Sequence, residues 1–142
     1  MSNSYTETEV KMYVPDLAAV QTRLESLGAS LSAPRVYERN IRYDTLDKTF
    51  SKRGVVLRLR QDSRARLTYK ADGAIQGGIV SRTEVEVEVS DFNAMQTILA
   101  NLGYVPYMVY EKYRTTYTLG GAEIVLDEMP YGNFVEVEGD HD

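Results

Sequence analysis

The chain has no cysteine and no tryptophan, and its one histidine, His141, sits in an acidic tail. Without cysteine there is no disulfide, no thiolate nucleophile and no zinc–thiolate site. A single histidine excludes a histidine-based triad or a zinc cluster built on imidazoles. No apolar run approaches the roughly 20 residues that a membrane-spanning helix needs. Met1 to Glu9 is polar and lacks the apolar core of a secretory signal. Excess positive charge is missing too: 16 Lys and Arg against 21 Asp and Glu give a net charge of −5 at pH 7. That argues against a general nucleic-acid binder, though not against a local basic pocket. The expectation is a soluble, cytoplasmic single domain spanning residues 1–142, a length that suits one core.

What the chain does have is charge in strict alternation. Glu7, Glu9, Lys11 and Tyr13 share one face of an extended segment, and Thr8, Val10, Met12 and Val14 share the other. Two neighbouring carboxylates on one face repel unless a cation lies between them. The pattern recurs. Arg58 and Arg60 alternate with Leu57 and Leu59. Arg66 and Lys70 flank Thr68. Arg82, Glu84, Glu86 and Glu88 alternate with Thr83, Val85, Val87 and Val89. Further along come Lys112 with Arg114, then Glu123 with Asp127, then Glu136 with Glu138. Each of these segments reads as a strand.

Two helices interrupt the strands. Leu17, Val20, Leu24 and Leu27 follow helical spacing after Pro15-Asp16 and end at Gly28. Phe92, Met95, Ile98, Leu99 and Leu102 do the same after Asp91 and end at Gly103. The two strand-plus-helix units look like an internal repeat. Asp44 to Gly54 reads as a turn into a loop, and Ala71 to Gly78 as a flexible glycine-rich connection. The fold class is therefore α+β, mainly β: about eight antiparallel strands with two amphipathic helices packed outside.

If the sheet closes into a barrel, the helices need its apolar face, and the charged face then lines the lumen. Carboxylate pairs suit a hard divalent cation, and guanidinium and ammonium groups suit phosphate oxygens. A solvated outer charged face satisfies the alternation equally well.

The motifs favour the lumen. Glu7-Thr8-Glu9-Val10-Lys11, Tyr43-Asp44-Thr45, Leu57-Arg58-Leu59-Arg60, Leu67-Thr68-Tyr69-Lys70, Arg82/Glu84/Glu86, Lys112/Arg114, Asp127 and Phe134/Glu136/Glu138 run in one order along the chain. This set resembles the CYTH family, the triphosphate tunnel metalloenzymes. That family includes thiamine triphosphatases, inorganic triphosphatases and class IV adenylate cyclases. The resemblance implies a closed antiparallel tunnel barrel. It implies Mg²⁺ or Mn²⁺ held by Glu7, Glu9, Glu136 and Glu138, with Glu84 and Glu86 either joining a second metal or orienting basic neighbours. Arg58, Arg60, Lys70, Arg82, Lys112 and Arg114 would grip a triphosphate. Lys11 would position the attacking group or touch phosphate, and Asp127 would orient a basic neighbour. Arg66 reads as a solvated rim position. The implied catalytic set is Lys11, Arg58, Arg60 and Asp127.

The implied activity is metal-dependent hydrolysis of the terminal phosphate of a triphosphate such as thiamine triphosphate, tripolyphosphate or a nucleotide. The alternatives are cyclisation of ATP to cyclic AMP and pyrophosphate, or binding of triphosphate without turnover. The expected partner is a triphosphate-bearing small molecule, with no nucleic acid or membrane, and the chain a monomer or homodimer. Family members usually continue past the last Glu-x-Glu strand, so the usual C-terminal helical segment is expected to be missing here. Glu9, Arg58, Arg60, Lys112 and Glu138 are expected to share one lumen, with Val10, Leu57, Leu59 and Val85 turned away from it.

Overall fold

The computed structural model describes residues 6–76 and 78–140. Eight strands and three helices follow one another: β1 (Thr6–Tyr13), α1 (Leu17–Ser26), β2 (Ser30–Asp44), α2 (Thr49–Lys52), β3 (Val56–Gln61), β4 (Ala65–Gln76), β5 (Ile79–Val89), α3 (Phe92–Asn101), β6 (Val105–Leu119), β7 (Ala122–Met129) and β8 (Gly132–Asp140). All eight strands pair antiparallel into one closed barrel in the order β1-β5-β4-β3-β2-β6-β7-β8. Exchanging β1 with β5, β2 with β6, β3 with β7 and β4 with β8 leaves that order of neighbours unchanged. The barrel is thus two topologically equivalent halves, the repeat that the two strand-plus-helix units suggest.

The helices form where the sequence places them, and for the same reason. Asp16 and Asp91 are N-caps whose carboxylates accept the backbone N–H of Ala19 and Ala94. Gly28 and Gly103 follow the helix ends at φ 84 and φ 96, where a side chain would be strained.

Each helix covers the half-barrel to which it does not belong. Leu24 of α1 packs with Tyr117, Ile124, Leu126 and Val135 on β6, β7 and β8. Leu99 of α3 packs with Ile41, Tyr43 and Leu59 on β2 and β3. Both apolar clusters lie on the outer wall of the barrel, so its interior is free to be polar.

Two segments differ from expectation. The stretch after Asp44 is not plain loop: it contains the short helix α2. The fully buried Asp44 carboxylate accepts the N–H groups of Thr45, Phe50 and Ser51 and the Ser51 hydroxyl. A single turn of helix has no periodicity to read, and it is held by this carboxylate together with the Thr45 hydroxyl, which accepts the Thr49 N–H. The stretch Ala71 to Gly78 is mostly strand, with β4 running to Gln76. The register slips between Ala71 and Ala74, opposite Thr83 and Ser81. That extra residue is a bulge, and Gly73 sits inside it, so a glycine that reads as loop marks a kinked strand.

The outer clusters should hold the fold. Leu126→Ala and Leu99→Ala should each cost about 2–5 kcal/mol in urea unfolding, by lost burial plus the cavity left behind. Leu102→Ala, at a residue 68% exposed, should change stability by less than about 0.5 kcal/mol.

Asp44 gives a pH signature. Burial alone would raise its pKa, but hydrogen bonds from Ser51, Phe50 and Thr45 win and bring it from 3.8 to about 2. A folded-state pKa below the unfolded value stabilises above the unfolded value and is lost as pH falls towards the folded one. The stability difference between wild type and Asp44→Asn should therefore be full at pH 5 and shrink between pH 4 and 2 in urea titrations.

Candidate active site

Closing the sheet sets which walls face each other. Counting around the ring, β1 lies opposite β2, and β8 opposite β3. The space between them is a cavity of about 1140 Å³ lined by charged residues of both signs from most of the strands. Glu9, Arg58, Arg60, Lys112 and Glu138 all line it. Leu57 and Leu59 pack outward under α3, and Val85 lies on the outer surface, 41% exposed.

The β1–β8 wall is acidic. Glu9 pairs with Glu138 and Lys11 with Glu136 in the ladder register. One carboxylate oxygen from each of Glu9, Glu136 and Glu138 lies within 4.8 Å of the others. Glu123 stands opposite Glu138 on the other side. Burial would raise the Glu136 pKa, but a hydrogen bond with Glu138 and the field of Arg114 outweigh it and keep it low. Lys11 Nζ is 3.8 Å from Glu136. The three clustered donors are carboxylate oxygens, with no nitrogen or sulfur among them. That donor set fits Mg²⁺ or Mn²⁺ and not a soft metal. Glu7 belongs to β1 opposite Arg82, but its side chain lies outside the described residues.

The β2–β3–β4 wall is basic, and it places like charges side by side. Arg42 stands opposite Arg58, and Arg60 opposite Arg66. Such rungs repel in an empty sheet. The Nε atoms of Arg42, Arg58, Arg66 and Arg82 are buried and have no hydrogen-bond partner among the described residues. Arg66 is not a solvated rim residue: it bonds Asp62, lies 3.7 Å from Glu86 and lines the cavity.

A second group of cations is braced. Glu38, 1% exposed, stands 3.2 Å from Arg60, 3.9 Å from Lys112 and 3.7 Å from Arg114. Asn40 Oδ1 accepts from Arg60 Nε at 2.7 Å. Asp127, also 1% exposed, accepts from Lys112 at 3.0 Å and from two nitrogens of Arg114 at 2.7 and 2.9 Å. Asp127 lies behind those cations and orients them. Burial and Arg114 lower the Lys112 pKa, and burial with Arg58 and Arg114 lowers Arg60 to about 10. Arg60 stays charged at neutral pH. Burial would raise the Tyr110 phenol, but Arg58, Lys112 and Arg60 outweigh it and lower it.

Glu84 and Glu86 face basic and hydroxyl partners rather than the carboxylate cluster. Glu84 is 4.0 Å from Lys70, and Glu86 accepts from Thr68 at 2.8 Å.

Glu38, Arg42 and Tyr110, which line the cavity, and Asn40, which is buried against Arg60, escape sequence reading. Glu38, Asn40 and Arg42 do alternate with Arg39, Ile41 and Tyr43. The charged Arg39 on the outer face blurs that alternation, and Tyr110 reads as one of many strand tyrosines.

A family model described as the CYTH domain matches residues 5–142. A protein of Methanocaldococcus jannaschii named "Putative adenylate cyclase MJ0240" is 28% identical over 93% of this chain and 75% of its own length. A Vibrio parahaemolyticus structure titled as a putative adenylate cyclase superposes with TM-score 0.85 at 21% identity, covering 99% of this chain and 79% of that one. The Hippeastrum protein HpAC1 superposes with TM-score 0.73 at 21% identity, covering 93% and 78%. That protein is described as a "putative adenylyl cyclase" with a dominant triphosphatase activity.

The clasp around Glu38 makes a direct expectation. Glu38→Gln removes the charge that balances three buried cations and should lower stability by about 2 kcal/mol in phosphate-free buffer. Tenfold higher ionic strength should raise the unfolding midpoint of the variant more than that of the wild type, because salt screens the repulsion left among Arg60, Lys112 and Arg114.

Proposed function

The chain belongs to the CYTH domain family, and from that premise we propose that it hydrolyses the terminal phosphate of a metal-bound triphosphate inside the barrel. The single observation that carries this reading is the pair of facing walls. A carboxylate cluster on β1 and β8 lies across the lumen from the adjacent guanidinium groups of Arg42 and Arg58 on β2 and β3. A metal-triphosphate complex presents a cation and an anionic chain at once and satisfies both walls.

Glu9, Glu136 and Glu138 hold Mg²⁺ or Mn²⁺, with Glu7 the further ligand suggested by its motif. The metal supplies charge neutralisation at the phosphate oxygens. Arg42, Arg58, Arg66 and Arg82 each carry an Nε without a hydrogen-bond partner among the described residues, a deficit that phosphate oxygens would relieve. Arg60, Lys70, Lys112 and Arg114 add positive charge from strands around the ring. Because Glu38 and Asp127 fix three of those cations beforehand, little reorganisation is needed as charge develops at phosphorus. Lys11, on the rung beside Glu136, positions the attacking water. The water oxygen bonds the terminal phosphorus as the bond to the bridging oxygen breaks, giving orthophosphate and a diphosphate. Rigid walls on several strands hold that in-line arrangement.

Cyclisation of ATP is the second reading, favoured by the names of the Methanocaldococcus and Vibrio relatives. It needs the same grip but brings a ribose hydroxyl to the α-phosphorus. Hydrolysis asks less of the site, and the Hippeastrum protein's title points the same way.

Incubation with ATP, thiamine triphosphate and tripolyphosphate in Mg²⁺ or Mn²⁺ should release orthophosphate. Cyclic AMP would favour the second reading, and tight binding with no product would make the tunnel a binding module. In melting experiments, tripolyphosphate with Mg²⁺ should raise Tm more than either alone, since only the pair fills both walls. Sulfate at equal ionic strength should do less. A Tm indifferent to tripolyphosphate with metal would remove the triphosphate from the site.

A further inference from the structure

The inner face of the β1–β8 ladder carries three successive rungs of different chemistry. Glu9 stands opposite Glu138, Lys11 opposite Glu136, and Tyr13 opposite Phe134. Alternate residues on a strand are about 7 Å apart, so the aromatic rung lies about 7 Å from the Lys11 rung and about 13 Å from the acidic one. The last rung is at the end of the barrel where β7 turns into β8, and Tyr131 of that turn joins it. The Tyr13 and Phe134 rings meet edge to face at 5.7 Å, and Tyr131 and Phe134 do the same at 5.8 Å. Lys11 Nζ sits 4.9 Å from the Phe134 ring centroid, which couples the aromatic rung to the phosphate grip.

Packing does not account for this trio. Tyr13 is 65% exposed and Tyr131 71% exposed, at the mouth of a cavity that Tyr131 itself lines. Large exposed rings cost apolar hydration, and neither outer apolar cluster includes them. Their geometry is nevertheless fixed. Phe134 meets both tyrosines in T-shaped contacts, and much of each tyrosine ring stays exposed. Gly132, at φ 149, lies under the Tyr13 ring, where a Cβ would come within 3.0 Å of Cε1. A side chain there would push the ring aside.

We propose that Tyr131 and Tyr13 form a stacking subsite for the base of a nucleoside triphosphate whose phosphates occupy the tunnel. This rests on the triphosphate reading above and adds its substrate class. With the terminal phosphate at the acidic rung, the group attached to the other end of the triphosphate emerges at the aromatic rung. Stacking on a tyrosine face is tolerant of base identity, because every base has a π-face. Adenine and guanine nucleotides should therefore be held alike, and both more tightly than inorganic triphosphate.

The test compares calorimetric binding of β,γ-imido-ATP, β,γ-imido-GTP and imidotriphosphate, each with Mg²⁺; the imido bridge resists hydrolysis at the terminal phosphorus, and product analysis of the cell contents checks that no cyclic nucleotide forms. In the wild-type chain both nucleotides should bind more tightly than imidotriphosphate. Tyr131→Ala should weaken both nucleotides by about tenfold, the scale of one lost base stack. Imidotriphosphate should shift less than twofold, and Tyr131→Phe, which keeps the ring, should behave as wild type. Tyr13→Ala should repeat the pattern from the neighbouring strand. Equal weakening of all three ligands would mean that the trio only shapes the mouth and would overturn the subsite. So would a wild-type chain that binds imidotriphosphate as tightly as the nucleotides, which leaves the triphosphate reading standing. Failure of the wild type to bind any of the three would remove the triphosphate reading and the subsite together.

Discussion

A closed sheet has two faces, and the helices settle which of them is dry. α1 and α3 each carry an apolar stripe that must be buried, and the outer surface of the barrel is where a helix can reach. Leu59, Ile41 and Leu126 therefore point out, and the period-two pleat forces Arg58, Arg60, Asn40, Arg42, Val125 and Asp127 to point in. An eight-stranded barrel is wide enough to hold side chains or one small ligand. With both apolar cores outside it, the interior can be given over to charge, and the remaining features of the site follow from how that charge is arranged.

Much of this was legible because the alternation is strict. Val56, Arg58 and Arg60 on β3, and Arg82, Glu84 and Glu86 on β5, line the cavity as their parity requires. The helix boundaries were legible because Asp16 and Asp91 cap with their own carboxylates. Position within the lumen was not legible in the alternation itself, only in the family resemblance, because it depends on which strands become neighbours across long chain separations. Glu9 and Glu138 meet only because β1 closes onto β8, and no local pattern announces that. Glu38 was missed for a related reason. Its worth comes from Arg60, Lys112 and Arg114 on other strands, while its own neighbours Tyr37 and Arg39 hide the inward parity. The motif Asp44 was legible as special, but its role as the cap of α2 needed the fold.

The two halves of the barrel repeat in topology but not in charge. β1 and β5 are equivalent strands and direct neighbours, yet β1 brings Glu9 and Lys11 to the lumen, and β5 brings Arg82, Glu84 and Glu86. On β5 the carboxylates lie beside Lys70, Thr68 and Arg66 of β4. On β1 the neighbour is β8, which supplies more carboxylates. The same Glu-x-Glu spacing thus sits within a mixed-charge wall in one half and, through Glu9, beside an all-carboxylate cluster in the other. What differs is the partner strand, so an acidic motif on a strand cannot be assigned a role until the adjacent strand is known.

Among the described residues ten basic and eight acidic side chains line the cavity, so their total charge is close to balanced while the walls are not. Two solutions to that segregation coexist. Around Arg60, Lys112 and Arg114 the protein supplies its own counter-charges, Glu38 and Asp127, both almost wholly buried. Those cations are fixed in place whether or not anything is bound. Around Arg42, Arg58, Arg66 and Arg82 a buried nitrogen on each is left without a protein acceptor among the described residues. An unmet buried donor costs about 1–3 kcal/mol, so these four groups favour any ligand that brings oxygens to them. A bare anion would satisfy them but leave the clustered Glu9, Glu136 and Glu138 facing one another, and a bare cation would do the reverse. The segregated walls therefore select for a ligand that carries both signs along its length, and the braced cations keep the geometry from collapsing before it arrives.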